Sequence, residues 1–201
     1  MGTLELTQFI VKEHAGTFKV LDAYDIFDAT TQQKVALARE TPARWVTVLR
    51  PVMAKKQLPT EITVTESDEG GPVLFQIRRP FALFRSPDVG VYDGSGTQVG
   101  CFVEKFAWSK GFWIHDVHDK QMAEVKGNWK GRDFKLLGPG GEVLGSVSKK
   151  WGGLATELFT SADTYIVALN ESLRGNRETT ILLLAAALAI DVIYGERGDE
   201  A

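Results

Sequence analysis

Residues 115–119 read His115-Asp116-Val117-His118-Asp119, two imidazoles and two carboxylates in five positions. Those are residue types that ligate divalent metals or move protons. The spacing argues against both uses, because histidines three apart in a strand point to opposite faces. The aspartates also suit a hairpin turn, where a short carboxylate binds nearby backbone N–H groups. The run therefore reads as a solvated turn, with a metal or acid–base site as the competing reading. Gly138-Pro139-Gly140-Gly141 invites a phosphate-loop reading, but no Gly-Lys-Ser/Thr follows and the next residues favour a strand. It reads as a tight turn. The chain holds no serine nucleophile elbow and no zinc-protease helix motif. Cys101 is its only cysteine, so one chain can build neither a disulfide nor a thiolate zinc cage. Cys101 reads as a small strand residue, and His14 shows no partner in the sequence.

Cations carry the remaining chemistry. Lys55, Lys56, Arg78, Arg79, Arg85, Lys105, Lys110, Lys149 and Lys150 recur near Phe84, Phe106, Trp108 and Trp151. Brought onto one patch, they would hold a multivalent phosphate such as a lipid headgroup; spread out, they are an ordinary solvated surface. The net charge of -3 calls for no nucleic acid and no general attraction to an anionic membrane. Membrane contact would have to be local and peripheral.

The elements that must position these residues are mostly strands. A hydrophobic content of 44% with 24% charged residues is that of a folded globular chain. Arg44–Leu49, Glu61–Thr65, Val73–Ile77 and Phe18–Leu21 are rich in β-branched and aromatic residues, and Ile62 and Val64 alternate with Thr63 and Thr65. About a dozen short strands are expected. A weak repeat runs through them. Asp93–Gly100, Asp116–Ala123 and Gly138–Gly145 align without gaps, and Asp28–Ala36 aligns with one extra residue. Each unit is a polar turn, an apolar residue and then a small one, which predicts successive β-hairpins of one sheet. No linker or composition shift divides the chain, so 1–201 is expected to form one domain, with strands over about 4–170.

After Trp151 the pattern changes. Gly152-Gly153 interrupts it, Leu154–Phe159 reads as a helical turn or loop, and Thr164–Leu169 reads as a last strand. Asn170 or Ser172 could begin a helical region, whose first turns Gly175-Asn176 would weaken. Ten consecutive apolar residues, Ile181 to Ile190, then predict a helix over about 178–194. Sixteen helical residues span about 24 Å, short of the roughly 30 Å hydrocarbon core of a bilayer, and Asp191 adds a charge. A helix apolar on every side must be buried on every side. A barrel closed around it meets that need and removes exposed strand edges. The predicted core helix contributes Ile181, Leu182, Leu183, Leu184, Leu188 and Ile190. A membrane anchor and a partner-binding helix are the alternatives.

The stretch Val147–Tyr165, with Lys149-Lys150-Trp151, Thr156-Glu157, Phe159-Thr160 and an acidic loop after it, resembles the phospholipid-scramblase-related family. So does the closing apolar run Leu183–Tyr194 with Ile190-Asp191 inside it. That family is similar to the Tubby C-terminal-like and LURP-one-related proteins. The resemblance implies a closed antiparallel barrel of about twelve strands around a buried C-terminal helix. It also implies lipid-headgroup binding, phosphoinositides included, by barrel-surface Lys and Arg, although no Tubby lipid motif maps residue by residue. The family's proposed calcium loop would start here at Ser161, keep Asp163 and reach Ser172 at its twelfth position. Two serines cannot supply the required carboxylates, so Asp163 is a weak calcium candidate and no metal or cofactor is expected.

The resulting expectation is a non-enzymatic domain at the cytoplasmic membrane face that binds an anionic phospholipid or a protein partner. Arg78, Arg79, Arg85, Lys105, Lys110, Lys149 and Lys150 are its headgroup candidates. A scramblase whose C-terminal helix inserts in the bilayer, and a small-molecule carrier or hydrolase, are the alternatives. Met1–Leu6 reads as neither a secretory signal nor a myristoylation motif, and the absence of a disulfide framework fits a reducing compartment.

Overall fold

The computed structural model describes residues 2–14, 23–42, 45–46, 57–68, 70–81, 88–105, 111–128, 133–148 and 164–192, the last two by backbone alone. Twelve strands run in order. They are β1 (Gln8–Glu13), β2 (Ala23–Asp28), β3 (Lys34–Glu40), β4 (Thr60–Glu66), β5 (Val73–Arg79) and β6 (Val89–Asp93). Then come β7 (Gln98–Glu104), β8 (Gly111–Asp116), β9 (Gln121–Asn128), β10 (Asp133–Leu137), β11 (Val143–Ser148) and β12 (Thr164–Leu169). One helix, α1 (Arg177–Val192), follows. Each strand pairs antiparallel with its sequence neighbour. β1 also pairs with β12, with Phe9 opposite Val167, and this closes the barrel.

The repeat in the sequence is a repeat of turn chemistry. At β6–β7 the Asp93 carboxylate accepts from the Ser95 and Thr97 amides at 2.9 and 3.0 Å. At β8–β9 the Asp116 carboxylate accepts from the His118 and Lys120 amides at 2.8 and 3.0 Å. The fourth residue of each unit has positive φ: Gly96 at 83°, Asp119 at 60° and Gly141 at 84°. In the unit with one extra residue, that place passes to Gln32 at 58°. Beside each of the five hairpins at this end the register slips by one residue, as between Val91 and Tyr92 or Ile114 and His115. Such bulges bend and twist strands, and repeating them around the ring curls the sheet into a barrel.

The small residue of each unit points inward. Ala36 and Ala123 are fully buried. At Gly100 a Cβ would lie 2.2 Å from the His115 carbonyl oxygen and 2.8 Å from Leu182 Cδ2 of α1. Helix and strand meet there because the strand has no side chain. Every residue of α1 from Ile181 to Ile190 is at most 5% exposed, and all ten belong to one core with Phe9, Phe75, Phe102, Phe112 and Phe134 of the strands.

Gly175 and Asn176 do not weaken the first turns of α1, because they precede it. Gly175 takes a φ of 86°, and the Asn176 side chain accepts from the Thr179 amide at 3.1 Å as a cap. Asn170 caps a separate 3-10 turn, Glu171–Leu173, through the Ser172 amide. The expected strand Arg44–Leu49 is corrected at Trp45 and Val46, whose backbone is helical. Prolines at 42 and 51 bracket this segment and disfavour a paired strand. The rest of that segment, Phe18–Leu21 and Leu154–Phe159 lie outside the described residues.

Candidate functional site: the long-connection rim

An up-and-down barrel gathers alternate connections at opposite ends. One rim carries the five short hairpins, the 3-10 turn Thr3–Glu5 and the entry into α1. The other carries the connections 14–22, 41–59, 80–88, 105–110, 129–132 and 149–163. Those six segments hold twelve Lys and Arg against four Asp and Glu, and four of the five tryptophans. The hairpin rim, from residues 2–7 through 170–176, holds two Lys and Arg against six Asp and Glu. Counted along the sequence, the long connecting segments are cation-rich and the hairpin segments acid-rich, within a chain of net charge -3.

Three of the headgroup candidates are described, and the fold uses them differently. Arg78 faces outward at the end of β5. Its guanidinium lies 4.6 Å from the Tyr92 ring centroid, 3.6 Å from Glu61 Oε1, and donates to Gln76 Oε1 at 2.6 Å. Arg79 shares the inward face of Phe75 and Ile77. It is 5% exposed and donates to the Leu58 carbonyl at 3.3 Å and Thr60 Oγ1 at 2.8 Å. It thereby ties the end of the 41–59 connection to the root of the 80–88 connection. The Lys105 side chain is 7% exposed, paired with Glu124 and held 5.5 Å from the Trp113 ring centroid. Arg85, Lys110, Lys149, Lys150 and Asp163 lie outside the described residues. So do Lys55, Lys56, Phe84, Phe106, Trp108 and Trp151.

Beside Arg78 an outer groove of about 460 Å³ runs along β5, β6 and β7 from this rim, lined by Pro42, Val46, Pro80, Tyr92 and Cys101 among others. Gly90 forms its floor. A Cβ there would stand 2.8 Å from Tyr92 Cε2, so the glycine lets the ring lie across the sheet. The groove is on the barrel's outside, because the lumen is filled by α1. At its head the described residues expose two large aromatics, Trp45 at 50% and Phe81 at 42%. Their ring centroids are 6.4 Å apart at 62°, an edge-to-face contact.

The histidine run is a turn. His115 Nδ1 meets Asp119 Oδ1 at 2.7 Å, while Asp116 serves the backbone. Among the described residues no group of three or more His, Cys, Asp or Glu converges as a metal site. Cys101 pairs across the strand with His115, but burial and then the charges of Asp88 and Asp119 push its thiol above the usual range. Such a thiol stays protonated and is a poor nucleophile. His14 does have a partner: its Nε2 lies 2.7 Å from Asp25 Oδ2, and Lys34 holds the other oxygen of that carboxylate at 2.7 Å. The contact joins residues eleven apart across a strand pair, beyond the reach of local sequence reading.

A family model described as Scramblase matches residues 11–197. The chain belongs to the scramblase family. It is also 24% identical over 168 residues to "Altered inheritance rate of mitochondria protein 25" of Saccharomyces cerevisiae, an alignment covering 65% of this chain and 51% of that protein. The chain thus spans about half the length of that curated relative. No solved structure matches. Scramblase-family membership supports a lipid-related role. Among the described residues no helix is long and apolar enough to cross a membrane.

Proposed function

We propose that this scramblase-family chain is a non-enzymatic domain whose long-connection rim binds anionic lipid headgroups, phosphoinositides included, at the cytoplasmic membrane face. The observation that carries this reading is the division of charge between the two sets of connecting segments in the sequence. By sequence, the segments that join strands on the long-connection side carry twelve Lys and Arg against four Asp and Glu, and the hairpin segments carry two against six. Near an anionic leaflet each Lys or Arg contributes about 1 kcal/mol, so the cationic end is drawn in and the acidic end is kept out. Arg78, Arg85, Lys110, Lys149 and Lys150 supply the headgroup contacts. Arg79 and Lys105, already engaged by Leu58, Thr60 and Glu124, hold the rim in shape. α1 acts as the barrel's core, and its burial supports a role at the surface rather than within the bilayer.

The test is co-sedimentation with vesicles of phosphatidylcholine alone and with added phosphatidylserine or a phosphoinositide, at low and high salt. Binding should require the anionic lipid and fall with salt. Arg78→Ala combined with Lys149→Ala and Lys150→Ala should weaken it by well over tenfold. A chain that ignores anionic vesicles at low salt removes the proposal. Family membership favours one other reading, lipid scrambling by an inserted α1. That reading requires the barrel to release the helix, and it predicts lipid flip in reconstituted vesicles together with rapid amide exchange over 181–190.

A further inference from the structure

We propose that Trp45 and Phe81 form an aromatic wedge that enters the interfacial layer of an anionic bilayer. The inference rests on the lipid-binding reading and adds the part of the rim that goes in. Among the described residues four large apolar side chains are exposed: Trp45, Phe81, Val117 and Val143. The two valines belong to the hairpin rim, in or next to separate turns, and isolated exposed valines are ordinary. Trp45 and Phe81 come from different connections, 36 residues apart in sequence, yet their rings meet at 6.4 Å. Two aromatics brought together across a rim and left about half in water form a patch rather than an accident of composition.

The Phe81 side of the pair is anchored by the fold. Phe81 follows Pro80, which follows Arg79 at the end of β5. The buried Arg79 guanidinium bonds the Leu58 carbonyl and the Thr60 hydroxyl, so the roots of both connections are locked to one another. Pro42 and Pro80 stiffen the backbone on either side. Trp45 offers an apolar ring with an indole N–H that suits the headgroup level, and the Phe81 ring adds apolar surface beside it. Charge decides between a bilayer and a protein as the occupant. Trp45 and Phe81 belong to the connecting segments whose sequence is cation-rich, and Arg78 lies at the edge of the adjoining groove with its guanidinium over Tyr92. Apolar insertion flanked by cations matches the layered chemistry of an anionic leaflet, acyl boundary below and phosphate above.

The experiment compares the full chain with Trp45→Ala/Phe81→Ala on vesicles of phosphatidylcholine and phosphatidylserine at low and high salt. Both side chains are substantially exposed, so the unfolding midpoint of the variant should match the parent. The parent should keep a salt-resistant part of its binding, and the variant should lose that part by about tenfold or more while salt-sensitive association persists. A second measurement uses lipids brominated on the acyl chains. They should quench the parent's tryptophan fluorescence and quench Trp45→Phe less, which locates residue 45 itself. Parent binding with an unchanged double variant, or equal quenching in the two proteins, overturns the wedge and leaves headgroup binding standing. Absence of binding by the parent overturns both. A self-association abolished by Trp45→Ala/Phe81→Ala, without any lipid effect, assigns the patch to a second copy and also overturns the wedge.

Discussion

Leu184→Ala tests whether α1 is structural filling. Leu184 is fully buried among the barrel's core residues. The substitution leaves helix propensity intact, since alanine is the best helix former, so any loss comes from packing. Truncating a buried leucine costs about 2–5 kcal/mol, the higher part of that range applying where the surroundings cannot collapse into the space. A ring closed by pairing of β1 with β12 resists collapse, and about 4 kcal/mol is expected. For a chain of this size that corresponds to a melting-point drop of about 8–16 °C. Urea denaturation followed by circular dichroism, without detergent, measures the change. Val143→Ala, at a half-exposed strand position, should change stability by no more than about 0.5 kcal/mol. A Leu184→Ala loss below about 1 kcal/mol would refute the reasoning, because it would mean that α1 leaves the barrel without cost.

Gly100→Val should destabilise by about 1–3 kcal/mol or more through overpacking, since its Cβ meets the His115 carbonyl and Leu182. Adding Leu182→Ala should recover only part of that loss, because the backbone oxygen remains, and a double-mutant cycle in urea reads the difference. Acid should weaken the fold through Asp93, Asp116 and Asp25. The hydroxyl of Ser95 holds the Asp93 carboxyl below the usual range, and the Lys120 amide does so for Asp116. Burial raises Asp25, but hydrogen bonds from Lys34 and His14 outweigh it and bring the carboxyl below the usual value. A carboxyl more acidic when folded contributes stability that is complete above the unfolded pKa of about 3.9 and is lost as pH falls through the folded value. Thermal melts between about pH 6 and pH 2 should show that decline, and Asp93→Asn with Asp116→Asn should flatten it.

Local physics was legible along the chain. The ten-residue apolar run demanded burial. The turn carboxylates at Asp93 and Asp116 and the glycine-rich turn at Gly138 marked hairpins, and Thr164–Leu169 is the last strand as expected. These features depend on residues a few positions apart, where spacing and backbone preference suffice. The inward burial of Arg79 was also within reach, because it shares parity with Phe75 and Ile77 on β5. Charge type hid it, since an arginine invites a surface reading.

Other features belong to the closed ring alone. Phe9 meets Val167 across the barrel seam, His14 finds Asp25, and Trp45 touches Phe81 only after distant strands have paired. Whether a residue faces lumen or solvent is set by register, and register is set by bulges and closure rather than by any short window. The division of the cations from the acidic turns likewise arises from topology. Antiparallel strands send successive connections to alternate ends, so cation-rich and acid-rich connecting segments that alternate along the sequence are assigned to opposite ends of the barrel.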